Sequence, residues 1–342
     1  MKRKLTADPN TGFGVNGNES GSRFYRRDGT PNIIRTGVGF FDRFSWYHTL
    51  LLMPMLEFIL LIFAGFILIN ILFACIYFII GIDHLGGITR GSSLKNFVDT
   101  FFFSTQTFTT VGYGRISPIG FLASAVSAFE AFVGLLSFAI ATGLFYGRFS
   151  RPQAFLRFSK NAIVGPYKDI TALMFRTVPF KNNNLTDAEV KLTLGMRVKE
   201  DDRYINRFYP LELELSKINA LVMNWTVVHP ITENSPLHGM SLHDMQQSKA
   251  EVLVYIKAFD DAFSNTVIAR TSYTAAEIIF GAKFKFMYHP SPDGSATVMR
   301  IELLDEIERV KLPELSGGLD LDEIPSINVV EKQEIEDRKK AR

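Results

Sequence analysis

Apolar residues run almost without interruption from Pro54 to Ile80. At a rise of ~1.5 Å per residue, about 27 residues cross a hydrocarbon core of ~30 Å with some tilt. A second apolar stretch, Ile119 to Phe149, is also long enough to cross. Between them Phe97 to Phe108 is apolar over only about 12 residues, too short to span, which is the pattern of a helix that enters the membrane and turns back. Beyond Pro152 the period changes to two. Val190, Leu192, Leu194, Met196 and Val198 alternate with other residues, as do Leu211, Leu213 and Leu215, and then Val252, Val254 and Ile256. Such strands, divided by turns such as Asn182-Asn183-Asn184 and Pro292-Asp293-Gly294, predict an antiparallel β-sandwich.

The expected fold class is membrane α plus all-β. Residues 1–38 form an amino-terminal arm, 39–152 a two-span module with its re-entrant helix, 153–312 the β-domain and 313–342 a charged, disordered tail. Ahead of the first span, Phe40, Phe41, Phe44, Trp46 and Tyr47 mix with Asp42, Arg43 and His48, as in an amphipathic helix lying at the membrane interface.

Charge orients this plan. Arg23, Arg26, Arg27, Arg35 and Arg43 precede the first span, and Arg148, Arg151 and Arg157 follow the second. Positive residues collect on the cytoplasmic side, so both termini are expected there and the loop between the spans outside. The formal net charge of +2 lacks the basic excess of a nucleic-acid binder. A lone cysteine, Cys75, excludes an intrachain disulfide or a cysteine metal cluster. The first long apolar run starts only near Met53, so no cleavable signal peptide is expected. Glu57 lies near the interface. Glu130, the one carboxylate of the second span, requires a partner inside the protein.

Between the re-entrant segment and the second span stands Thr110-Val111-Gly112-Tyr113-Gly114. A dehydrated K⁺ needs rings of oxygen in place of its water, and a chain supplies successive carbonyls to one axis only where some residues take unusual backbone angles. Gly112 and Gly114 permit those angles, Thr110 adds a hydroxyl ring, and Val111 and Tyr113 brace the strand. The segment reads as a potassium selectivity filter. One copy per chain implies a homotetramer, because the filter needs four such loops. On the second span Leu135, Phe138, Thr142 and Tyr146 share one helical stripe, read as pore-lining with a gate at Tyr146; the alternative is packing against lipid. Gly134 or Gly143 would let that helix bend.

Other signals carry less. Gly12-Phe13-Gly14-Val15-Asn16-Gly17 matches G-x-G-x-x-G without the strand and helix that a dinucleotide site needs. His229, His238 and His243 lack metal-ligand spacing. The sequons at Asn18, Asn184 and Asn224 fall on the cytoplasmic side. No nucleophile, base and oxyanion arrangement is visible, and no enzymatic activity is expected.

Across roughly residues 23 to 312 the chain resembles the prokaryotic inward-rectifier potassium channels. The resemblance is carried by the filter and by Arg23-Phe24 with Arg26-Arg27-Asp28-Gly29 in the arm. It continues in Thr142-Gly143-Leu144 leading to Arg148-Phe149-Ser150-Arg151-Pro152, in His229 to Leu237, and in Ala269-Arg270-Thr271-Ser272-Tyr273. It implies an immunoglobulin-like cytoplasmic sandwich, four of which extend the pore, and a place in the bacterial inner membrane. It implies no cofactor beyond K⁺ as permeant ion, with Mg²⁺ and polyamines as blockers from the cytoplasm. Phe138 stands where strong rectifiers carry an acid, so weak rectification is implied, with Asp187 and Asp261 matching acidic positions of the vestibule. Arg148 and Arg151 match a stretch that contacts anionic lipid, phosphoinositide in particular. Gln106 and Arg115 depart from the family, which usually has glutamate behind the filter and often an acid directly after it. A ring of unpaired arginines there would repel cations. The rival readings are a two-span channel gated by a soluble ligand, against which the missing nucleotide fingerprint argues, and a non-conducting sensor that keeps the fold.

Overall fold

The computed structural model describes residues 12–13, 23–37, 39, 45–181, 183–200 and 203–312. The chain divides into two compact units, residues 35–151 and residues 1–34 with 152–342.

The first unit is helical: α1 (Trp46–Leu52), α2 (Met55–Ile80), α3 (Ser93–Phe108) and α4 (Phe121–Phe149). The expected interfacial helix is α1; Phe40, Phe41, Asp42, Arg43 and Phe44 lie outside the described residues. Pro54 separates α1 from α2. A proline disfavours helical angles in the residue before it, and Met53 has ψ 144°, so Pro54 caps α2 rather than sitting in its first turn. α2 and α4 have 26 and 29 residues and are apolar enough to cross a membrane. Phe63, Leu68, Ile79 and Phe132 stand exposed on them, as lipid-facing positions do. α3 starts four residues before the expected re-entrant segment, because Ser92 caps it by accepting from Lys95 N at 3.4 Å.

Between α2 and α4 the loop closes on itself. β1 (Leu85–Gly86) pairs with β2 (Ser117–Pro118), and Ile119 N donates to His84 O at 2.7 Å. Gly87 has φ +89°, and a Cβ there would lie 1.9 Å from the carbonyl oxygen of Arg115, so only glycine fits this contact.

The second unit is the β-domain. One sheet has the order β11 (Asn265–Thr274), β10 (Glu251–Asp260), β6 (Leu185–Glu200), β7 (Arg203–Leu211), with β8 (Lys217–Ala220) also on β6. The other has the order β12 (Ile278–Phe280), β4 (Ala162–Tyr167), β5 (Ile170–Pro179), β3 (Leu156–Phe158), with β9 (Trp225–Pro230) on β5. Short pairs join β13 (Ala282–Phe284) to β16 (Ile307–Arg309) and β14 (Tyr288–Pro290) to β15 (Thr297–Met299); α5 (Leu242–Gln247) precedes β10. The alternation read in the sequence sets the core. Val252 pairs with Leu194, Val254 with Leu192 and Ile256 with Val190, and all six are buried with Leu173, Phe175 and Val227 of the facing sheet. Leu213 and Leu215 fall outside any strand, since the chain leaves the sheet after Leu211. One pair, β4 with β12, is parallel rather than antiparallel.

The opposite face of β10 carries Leu253, covered by Phe24 of the arm and Phe208. The arm is tied down by charge as well. Phe24 N donates to the buried Glu251 carboxylate at 2.7 Å, and Arg23 and Arg27 pair with the buried Glu277 at 2.8 and 2.7 Å. Burial raises the Glu251 pKa above the usual carboxylate range.

His229 is a packed residue. Its Nδ1–H donates to the carbonyl of Glu212 at 2.5 Å, which leaves Nε2 to accept from the Ser235 hydroxyl at 2.7 Å. Desolvation holds its pKa below the ordinary histidine value. The folded state therefore prefers the neutral ring; its contribution to stability is complete above pH ~6.5 and is lost as pH falls below that. Glu251 has the opposite sign. We expect the thermal midpoint of the β-domain, followed by calorimetry on the full chain, to fall as pH drops below ~6.5. His229→Asn, which keeps a donor and an acceptor, should lower stability and flatten that fall. An unchanged pH slope in the variant would refute the assignment.

Candidate functional site

The segment expected to form the filter leaves the carboxy end of α3. Thr109 N and Thr110 N donate to Thr105 O and Thr107 O, extending the last turn, and Gly112 N donates to Gln106 O at 3.2 Å. Thr110, Gly112 and Gly114 have φ of +60°, +52° and +79°, whereas Val111 and Tyr113 stay at negative φ. Alternating backbone hand turns successive carbonyls toward one side, the arrangement that can replace the hydration shell of a monovalent cation. At Gly112 and Gly114 no neighbour would meet a Cβ within 4 Å, so the angle, not crowding, demands glycine. Thr110 takes the same hand with a side chain, at a cost of about 1–2 kcal/mol. All five residues are exposed in the single chain.

α3 is held from behind by polar contacts. Glu130 of α4 is fully buried; it accepts from Tyr77 Oη of α2 at 2.6 Å and from Ser104 Oγ of α3. Ser104 Oγ also lies 3.2 Å from the backbone and side-chain oxygens of Asn70, itself buried on α2. One carboxylate thus joins all three long helices. Sequence reasoning required a partner for Glu130 but identified neither hydroxyl; Asn70, a lone amide in an apolar span, was the available signal. Tyr77 also packs edge-on against Phe103 with ring centroids 5.1 Å apart.

The stripe on α4 divides. Leu135 and Phe138 line an apolar cavity of about 680 Å³ together with Thr110, Phe66 and Ile69, so they share a space with the inner end of the filter segment. Thr142 and Tyr146 continue the exposed stripe beyond it. The two glycines differ. A Cβ on Gly134 would lie 2.0 Å from Phe108 O, whereas Gly143 has open space. Gly134 is therefore where the inner helix abuts the end of α3.

Arg148 is engaged inside its own unit. Its guanidinium donates to Leu50 O at 2.7 Å and Met53 O at 2.5 Å, carbonyls left free where Pro54 breaks the helix, and stacks 4.7 Å over Phe58. Arg151 is exposed. In the β-domain Asp187 pairs with Lys217 at 3.1 Å, and Asp261 accepts from Asn184 at 2.6 Å and Thr186 at 3.0 Å. Asp187 stands near the start of β6 and Asp261 directly after β10, both exposed.

A two-span pore module whose loop alternates in hand, followed by a β-sandwich, defines an ion channel. Residues 58–151 match the family model described as ion channel, and residues 156–323 match the inward rectifier potassium channel C-terminal domain. The inward rectifier potassium channel Kirbac3.1 of Paramagnetospirillum magnetotacticum is 35% identical over 277 residues, 80% of this chain and 91% of that one. The G protein-activated inward rectifier potassium channel 4 of Mus musculus and that of Rattus norvegicus are each 30% identical over 262 residues, 70% of this chain and 59% of theirs. A structure of the sporulation control protein Spo0M from Bacillus subtilis aligns over 38% of this chain and 50% of its own at TM-score 0.21 and 11% identity, too distant to bear on the fold. The chain belongs to the inward rectifier potassium channels: it is a potassium channel of the membrane, of the bacterial type, and not an enzyme.

Removing the buried carboxylate tests the brace. Glu130→Leu leaves the Tyr77 hydroxyl without an acceptor, at about 1–3 kcal/mol, and leaves Ser104 Oγ only the Asn70 oxygens. We expect a clear fall in the thermal midpoint of the purified protein. Glu130→Gln, which keeps an acceptor oxygen, should lose less than half as much. Equal losses would mean that volume, not hydrogen bonding, matters at this position.

Proposed function

We propose that the chain assembles as a homotetramer in the bacterial inner membrane with both termini cytoplasmic, and that K⁺ passes down its gradient through carbonyl rings of Thr110, Val111, Gly112, Tyr113 and Gly114. The observation that carries this reading is the positive φ at residues 110, 112 and 114 on a segment bonded back to α3. Four copies are required because one chain leaves the filter exposed and incomplete. The partial negative charge at the carboxy end of α3 favours a cation below the filter. Leu135, Phe138, Thr142 and Tyr146 line the path below, with the tyrosine ring as gate, and Gly143, which has no packed neighbour, as the bend.

Rectification is weak on this reading. Phe138 offers no carboxylate to Mg²⁺ or a polyamine, and the Asp187 charge is partly offset by Lys217. Regulation falls to anionic lipid, with Arg151 as the head-group contact and Arg148 as the internal support of the α1–α2 corner. An exposed arginine near an anionic leaflet gains ~1 kcal/mol.

Uptake of ⁸⁶Rb⁺ by liposomes holding the purified protein tests the conduction and the lipid regulation. Uptake should be blocked by Ba²⁺, unaffected by Na⁺ and abolished in Gly112→Asp. A phosphoinositide should reduce it, and Arg151→Gln should weaken that effect while Arg148→Gln mainly lowers thermal stability. A tetrameric protein that takes up no Rb⁺ in any lipid would leave a non-conducting sensor. A lipid response lost in Arg148→Gln at full stability would reverse the two arginine roles.

A further inference from the structure

We propose that the β-domain holds a site for inorganic phosphate, built from the guanidinium of Arg176, the Tyr288 hydroxyl and the side-chain oxygen of Asn224. All three residues belong to one compact unit, and the site does not depend on the pore reading above.

On β5, Ala172 and Met174 pack on one face with Ala282 and Phe284 of the segment that follows β12. Alternation carries Arg176 to that same face, so a guanidinium stands where the row is otherwise apolar. It is only 8% exposed. Nε donates to Thr226 Oγ1 at 3.3 Å, Nη1 donates to Lys285 O at 2.7 Å, and the central carbon lies 4.6 Å from the centroid of the Phe284 ring. Every one of these partners is neutral. Among the described residues no carboxylate pairs with Arg176, and nearby acids are taken: Lys285 holds Glu306 at 3.2 Å, and Arg300 holds Glu302 at 2.7 Å. Burial accordingly pushes the Arg176 pKa down, with the Tyr288 phenol acting the other way. Nη2 has no protein partner and is not sealed from solvent. A charge removed from water is ordinarily paired, because its lost hydration must be replaced. The partner that fits an unpaired guanidinium is an anion.

The surroundings choose which anion. Thr226 is the register partner of Arg176, and Asn224 lies two residues earlier on that chain, on the same side by alternation. The Asn224 backbone N–H faces the Tyr288 phenol, which in turn is within electrostatic reach of Arg176. Asn224 Oδ1 is buried and has no donor. The cluster therefore presents N–H and O–H donors to an oxyanion, together with one acceptor that needs a hydrogen. Hydrogenphosphate supplies both charged oxygens and a hydrogen. Sulfate and a phosphomonoester dianion supply the oxygens alone.

Calorimetric titration of the full chain in detergent near pH ~8 with inorganic phosphate, sulfate and methyl phosphate tests the assignment. Methyl phosphate is then a dianion, since its second pKa is about 6. We expect phosphate to bind about tenfold more tightly than either competitor, the worth of one hydrogen bond to a charged group. Arg176→Met should abolish binding of all three. Should that variant not fold, Asn224→Leu and Tyr288→Phe, at less buried positions, carry the test. The first should bring phosphate down to the level of sulfate while sulfate is unchanged, and the second should weaken both. If Arg176 were only a strut for Phe284 and Lys285, its loss would lower the thermal midpoint equally with and without phosphate. Absence of phosphate binding in wild type would overturn the proposal. So would equal affinity for phosphate and sulfate, or phosphate binding that is unchanged in Asn224→Leu.

Discussion

The buried carboxylate of Glu130 is the contact on which the membrane unit depends. The filter segment has little of its own to hold it: Thr110 N on Thr107 O and Gly112 N on Gln106 O are its main-chain ties to α3, and its five residues are exposed. Its unusual backbone angles persist only if the helix beneath them is fixed. Van der Waals contact between apolar helices offers weak orientation in lipid, where the solvent is as apolar as the side chains. Hydrogen bonds do orient. A carboxylate with two oxygens accepts from α2 and α3 at once while belonging to α4, so rotation of any one helix breaks a bond that lipid cannot replace. Gly134, one helical turn along α4, completes the seat by letting the α3 terminus approach the inner helix backbone.

What was legible in the sequence followed from periodicity and from residues with no substitute. Apolar runs of spanning length, the alternation at Val190 to Val198 and at Val252 to Ile256, and a glycine-containing pentapeptide between two spans each have one good structural solution. Where the pattern misled, context intervened. Leu213 and Leu215 alternate as a strand would, but β7 ends at Leu211 and Glu214 N bonds instead to Val228 O. Leu253 falls on the opposite face from the Val252–Ile256 core stripe, and it is buried because Phe208 and Phe24, the latter over two hundred positions earlier, cover it. No local pattern announces such a long-range contact. The same holds for the parallel pairing of β12 with β4.

Arg148 shows that position alone does not give all of a side chain's partners. A basic residue just past a membrane span suits an anionic head group, and the sequence offers no competing acid nearby. The competitor is backbone. Pro54 cannot donate an N–H, so the break between α1 and α2 leaves carbonyls at Leu50 and Met53 without helical partners. A guanidinium presents several donors in a plane and satisfies both while its face covers Phe58. The signal was in the sequence, as a proline seven residues after a tryptophan-tyrosine pair, but it pointed at the arginine only once the helices were side by side.

These placements also bear on how a cation is attracted at all. Glu130 is turned to the hydroxyls of Tyr77 and Ser104, Asp187 is bonded to Lys217, Asp261 to Asn184 and Thr186, and the stripe on α4 carries no acid. On the proposed reading the membrane part of the path therefore offers a cation chiefly neutral dipoles: filter carbonyls and the carboxy end of α3. Dipoles act at short range, because their field falls faster with distance than that of a charge. They can select an ion that has arrived without drawing it from bulk. Selectivity and throughput then rest on different residues, the first on the alternating backbone at Thr110 to Gly114 and the second on the net charges at the two mouths.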